Sequence, residues 1–138
     1  MIVFDQVTKR YPDTTADVVN QLSLTIHDGE ICILVGPSGC GKTTTMKMIN
    51  KLIPPSSGSI LIDGQDIGAI DTISLRLNIG YIIQDIGLFP HMTVAENIAT
   101  VPVELGWKKD RISARVDELL DLVELDPKDY RHKKPREL

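Results

Sequence analysis

The chain has 138 residues, 42% of them apolar, and a formal charge of -4, which together describe one ordinary folded domain. The mildly acidic balance gives no support for non-specific binding to nucleic acid or anionic lipid, and the longest apolar runs, ICILV and IGYII, are far too short to span a bilayer. Two cysteines, Cys32 and Cys40, make neither a disulfide framework nor a zinc-ligand set, and the start MIVFDQVTKRY has no secretion signal, so a reduced, cytoplasmic setting is expected.

Taken in chain order, Ile2, Phe4 and Val7 lie in one short β-like run, and Leu22–Ile26 alternates at period two. His27–Gly29 reads as a tight turn. Glu30–Gly36 is a continuous apolar run, the pattern of a strand buried on both faces. Met46, Ile49, Leu52 and Ile53 recur at helical spacing until Pro54–Gly58 stops the helix. The string SILIDG predicts a further short strand and turn, and Leu77–Asp85 a second buried strand. Thr93 and Glu96 fit a capping box at a helix start. Val94, Ile98, Val101 and Leu105 then share a face that Pro102 should kink or shorten. Ile112, Val116, Leu119, Leu120 and Val123 predict an amphipathic helix, followed by the basic, polar tail YRHKKPREL.

The chemistry concentrates in LVGPSGCGKTTTMKMIN. Gly36-x-x-x-x-Gly41-Lys42-Thr43 is a phosphate-binding pattern placed between a predicted strand and a predicted helix. A triphosphate packs several negative charges into a few ångströms, and backbone N–H groups can wrap it only where the chain bends tightly without Cβ atoms in the way. The helix N-terminus faces the same charge. Lys42 adds a point charge for the β- and γ-phosphates, and the Thr43 hydroxyl suits a magnesium ligand.

Around this loop the chain resembles a known family, the ATP-binding subunits of ABC transporters. FDQVTKRY resembles the opening β-segment that ends in an adenine-stacking aromatic, here Tyr11. SLTIHDGEICILVGPSGCGKTT resembles the strand pair leading into Walker A. SGSILIDGQDI resembles the strand after the Walker A helix, and IGYIIQDIGLFPHMTVAENI the Q-loop strand followed by the start of a helical subdomain. The order and spacing of these strings carry the resemblance, which covers essentially the whole chain.

The resemblance implies an α/β P-loop NTPase (RecA-like) core with an N-terminal antiparallel β segment and the start of an α-helical subdomain. Residues 1–85 would be the nucleotide-binding core and 86–138 the beginning of the helical part. It implies ATP and Mg2+ as cofactors, with Tyr11 stacked on adenine, a face that costs little to offer. Gly36, Pro37, Ser38, Gly39, Cys40, Gly41, Lys42 and Thr43 would cradle the phosphates, and Thr44 would donate to the α-phosphate. Gln84 would contact magnesium and the attacking water, joining Thr43 as a metal ligand and Lys42 in catalysis. The Cys40 side chain need not touch nucleotide, and His91 is read as solvent-facing rather than as a base.

The partners implied are a second ATP-binding subunit in a homodimer, membrane permease subunits and, indirectly, a solute-binding protein, with no nucleic acid. The place implied is the cytoplasmic face of the membrane, held there through the permease. The wording of GKTTTMKMINKLIPPSSGSILIDGQDI and NIGYIIQDIGLFPHMTVAENIATVPVELGW is most similar to the branch importing quaternary-amine osmoprotectants such as glycine betaine, carnitine or choline. The signature SGGQ would follow KKPREL, and no segment reads as Walker B or supplies the switch histidine. The expectation is therefore the N-terminal portion of an ATP-binding domain, truncated before the signature, unable to hydrolyse ATP alone. Its Walker A and Q-loop strands would lack sheet neighbours, making the chain unstable or sticky. Two alternatives stay open: a soluble ABC-type ATPase not linked to transport, and a nucleotide-binding module that works by occupancy without hydrolysis.

Overall fold

The computed structural model describes residues 1–83 and 87–138. The chain divides into two compact units, Met1–Gly80 and Tyr81–Leu138, each with its own core.

In the first unit, β1 (Ile2–Lys9), β2 (Val19–Ile26), β3 (Ser57–Ile62) and the short β4 (Gln65–Asp66) form one antiparallel sheet in the order β2-β1-β3-β4. The central strand places Phe4 opposite Leu24 on one side and Ile60 on the other. Strict alternation would send Phe4 and Val7 to opposite faces, yet both are buried. The cause is a bulge: Gln6 sits at φ 47, and the register to β2 shifts between Phe4 and Val7 and again between Val7 and Lys9. The extra residue at Gln6 re-phases the strand, so that Val7, and with it Lys9 two residues on, turns inward. Asp63 and Gly64, both at positive φ, make the two-residue hairpin between β3 and β4.

Against this sheet packs α1 (Lys42–Ile49), with Met48 fully buried beside Phe4, Val7, Val19 and Ile60. Each such side chain contributes about 1.5–3 kcal/mol of burial. The helix ends earlier than the apolar spacing through Ile53 implied. Asn50 takes the C-terminal position, its Oδ1 accepts from Leu52 N at 3.2 Å, and Lys51 turns the chain at φ 55. A local side-chain bond of this kind competes with the helical ladder. The carbonyl end of α1 is then fixed by α2 (Thr72–Leu77), where Arg76 donates from Nε to Asn50 O and from Nη2 to Lys51 O, both at 3.0 Å. A cation at a helix C-terminus also opposes the helix dipole. The start of α2 is capped by Asp71. Hydrogen bonds from Ser74 N and Ser74 Oγ hold its carboxyl below the usual carboxylate range.

Two expectations are corrected here. Neither Glu30–Gly36 nor the described part of Leu77–Asp85 is a strand: the first run has no regular secondary structure, and Leu77 closes α2. Ile31, Ile33, Val35 and Ile82 are 76–93% exposed rather than buried. Apolar, β-branched composition describes a surface that fits a pleated, covered sheet, but a strand also needs ladder neighbours. Among the described residues, no strand runs beside either segment.

In the second unit, α3 (Val94–Glu104) pairs with α4 (Lys109–Leu122), followed by the short α5 (Pro127–Tyr130). The predicted capping box is present: Glu96 N donates to Thr93 Oγ1, and Thr93 N to Glu96 Oε2. The tail supplies the remaining acceptors, since Val94 N and Ala95 N donate to Lys133 O and Arg131 O. Pro102 does not end α3, which continues to Glu104. Val94, Val116 and Leu120 form the core, with Ile98, Ile112, Leu125 and Tyr130 against it. Val123, the end of the predicted apolar stripe, is exposed. Arg131 reaches back to Asp117 at 2.9 Å and to Ser113, so the polar tail is tied to α4.

Candidate functional site

The Gly-rich loop joins the irregular run Glu30–Val35 to α1 and lies wholly in the first unit. Its last glycine, Gly41, is the residue before the helix and stands at φ 93. A Cβ there would meet Val18 O at 2.5 Å and Val19 Cγ2 at 3.2 Å. Only glycine accepts both the left-handed backbone and this approach to β2. The loop is thereby pressed against the start of β2, and an open groove of about 440 Å³ runs beside it, bordered by Val18, Val19, Asn20, Cys40 and Lys42.

No side chain caps α1. Its first N–H groups have no partner within the helix, and they form the positive end of its dipole. Thr45, inside the first turn, spends its hydroxyl on Gly41 O at 3.0 Å. Thr43 and Thr44 remain on the same turn, the first exposed and the second half-buried. Lys42 folds back over the loop, its Nζ donating to Gly36 O at 2.7 Å and Pro37 O at 2.8 Å, with Cys40 Sγ at 3.5 Å. An ammonium has three donors. Two are on carbonyls, and the third faces a weak acceptor that an anion would readily replace. Uncapped amides, a loop without side-chain bulk and a tethered cation suit a polyphosphate. The Thr43 hydroxyl beside them is a hard oxygen donor, the kind magnesium takes.

Tyr11 follows β1 by two residues. Its hydroxyl stands 3.4 Å from Thr44 Oγ1 on α1, so the predicted aromatic and the predicted phosphate loop come together. Lys9, which the sequence reading passed over, lies beneath the ring: its Nζ is 5.2 Å from the centroid and donates to Pro54 O at 2.7 Å. The signal for it was a lysine two residues before the aromatic, on the same side of a strand end, and it had meaning only once Tyr11 mattered. Gln84 lies outside the described residues. Cys32 and Cys40 are both free and exposed, and His91 is exposed with its ring edge against Phe89. Among the described residues, no helix is long and apolar enough to cross a membrane.

The family described as ABC transporter matches residues 19–138. The osmoprotectant import ATP-binding protein OsmV of Salmonella typhimurium is 50% identical over an alignment covering 100% of this chain and 37% of its own length. The glycine betaine/carnitine/choline transport ATP-binding protein OpuCA of Bacillus subtilis is 51% identical, over 100% and 36%. Among solved structures, an ATP-binding cassette in a dimeric post-hydrolysis state bound to ADP and Pi superposes with a TM-score of 0.84 at 28% identity. That match covers 100% of this chain and 63% of the cassette. The α/β cassette fold read from the sequence is the fold of that neighbour, and this chain spans a little over a third of the length of the two relatives.

Proposed function

This chain belongs to the ABC transporter family, and from that premise we propose that it provides the ATP-binding, energy-coupling subunit of an importer for quaternary-amine osmoprotectants such as glycine betaine, carnitine or choline. The observation that carries the nucleotide part is the loop itself: an uncapped α1 N-terminus with the Lys42 ammonium tethered 2.7–2.8 Å from loop carbonyls. The solute class rests on relatives about half identical along the whole chain that are named for osmoprotectant, glycine betaine, carnitine and choline transport.

In this reading the amides of Gly36–Thr43 hold the β- and γ-phosphates. Lys42 turns its third donor from Cys40 to the γ-phosphate. Thr44, already near Tyr11, reaches the α-phosphate, while the Tyr11 ring carries the adenine. Thr43 and Gln84 would ligate magnesium, which when bound neutralises charge on the phosphates. A second ATP-binding subunit would close over the nucleotide, and permease subunits would receive the motion, placing the assembly at the cytoplasmic face of a membrane.

The test is MgATP binding by calorimetry on the intact protein. Charged hydrogen bonds of this kind are worth about 1.5–3 kcal/mol, so Lys42→Ala should weaken binding by about 10- to 150-fold. Undiminished binding would end the reading. Uptake of labelled glycine betaine or choline by cells carrying the protein, lost in Lys42→Ala, tests the solute class.

A further inference from the structure

We infer that Lys9 is a positioning residue for the nucleotide base: its ammonium holds one face of the Tyr11 ring so that the other face is offered to the adenine. The inference rests on the ATP-binding reading above and adds a specificity element to it.

Lys9 is only 9% exposed. A buried ammonium is costly unless its donors are used. Here one goes to Pro54 O at 2.7 Å, and the charge stands 5.2 Å from the Tyr11 centroid, inside the range where a ring face attracts a cation. The contact gains strength from being shielded, since water competes least where the lysine is buried.

The surroundings make this a fixed arm rather than a loose contact. The bulge at Gln6 puts Lys9 on the inward face with Val7, and Val18 N donates to Lys9 O at 2.8 Å. The segment bearing Pro54 is stitched to the same strand end: Ser56 N donates to Thr8 O at 2.8 Å, Arg10 N donates to Ser56 Oγ at 3.0 Å, and Ser56 Oγ donates to Arg10 O at 3.2 Å. Pro54 lies just beyond α1, and the Tyr11 hydroxyl meets Thr44 on that helix at 3.4 Å. The ring is thus held at its face by Lys9 and at its edge by Thr44. Both supports trace back to α1, the helix whose N-terminus forms the phosphate site. A base stacked on Tyr11 and a phosphate on the loop would then be kept at a set separation.

The experiment compares binding of MgATP with binding of magnesium tripolyphosphate, which has the charges and no base, to the intact protein. Lys9→Gln keeps a donor for Pro54 O and removes the charge. It should weaken MgATP about 2- to 30-fold, the range of a shielded cation–ring contact, and leave tripolyphosphate unchanged. Lys9→Arg should retain the MgATP preference. In a Tyr11→Ala background, Lys9→Gln should have no further effect on the ratio, because the two residues act as one unit. A parallel loss of both ligands in Lys9→Gln would show a general structural role and overturn the inference. So would an unchanged ratio in a protein whose Tyr11→Ala variant loses it, with the ATP reading intact. Absence of MgATP binding in the wild-type protein would instead remove the parent reading.

Discussion

The sheet of β1, β2 and β3 and the run Ile31–Val35 are built from the same kinds of residue and meet opposite fates. Phe4, Val7 and Ile60 are at most 2% exposed, whereas Ile31, Ile33 and Val35 are 76–90% exposed. The sheet closes because each strand finds an antiparallel neighbour and one face finds α1. The run has the composition of a covered strand but no ladder among the described residues. Burial is therefore a property of a side chain together with its neighbours, and composition alone reports only the side chain.

The sharpest way to break this contrast is to truncate one residue on each side of it. Phe4→Ala should cost about 3–5 kcal/mol, the usual range for a fully buried aromatic, seen as a lower midpoint in chemical denaturation of the chain. Ile33→Ala, at 76% exposure, should stay within about 0.5 kcal/mol. A large effect of Ile33→Ala would mean that the run is covered in solution and that the contrast is misplaced.

Pairing within the sheet can be tested more finely at Gly58, which stands at φ 80 where β3 passes the bulge of β1. A Cβ there would fall 2.4 Å from Gln6 O and 2.6 Å from Asp5 O. The left-handed backbone alone should cost Gly58→Ala roughly 1–3 kcal/mol, and the clash with two carbonyls adds to that. Denaturation midpoints would check the loss, and amide exchange at β1 and β3 would show it confined to their pairing. A neutral result would argue that β3 leaves β1 easily and that the sheet is as unpaired as the run.

What the sequence made legible follows the same division. Features decided within a few residues could be read: the loop Gly36–Thr43, the Thr93–Glu96 capping box, the turn after β3, the inward stripe of α4. Features decided by distant partners could not. The bulge at Gln6 re-phases Val7 and Lys9 without a local mark. The helix α2, capped by Asp71, is too short to show an apolar period, and its C-terminal end is fixed by Arg76 reaching Asn50 and Lys51 far back in the chain. The candidate site divides likewise: Lys42 is readable from the motif, but the contact of Lys9 with Tyr11 and Pro54 joins three places in the chain.

Towards the local end of the comparison stands α3, whose first turn is closed in part by a side chain three residues away and in part by the tail carbonyls of Arg131 and Lys133. Thr93 N donates to the Glu96 carboxylate at 2.7 Å, and this backbone bond, helped by the Thr93 side chain, holds the Glu96 carboxyl below the usual range. With the folded pKa depressed below the unfolded one, the ionised form stabilises the folded state. That contribution is complete above the ordinary glutamate range near 4.3 and fades as pH falls through the depressed folded value. Stability of the helical unit, followed by circular dichroism during denaturation, should therefore decline from about pH 5 downward, and the decline should be shallower in Glu96→Gln. The effect is the smallest of the three because the group is exposed and salt and water screen it. If the wild type and Glu96→Gln lose stability in parallel as the pH is lowered, the carboxylate is not closing the helix, and the tail carbonyls alone hold its first turn.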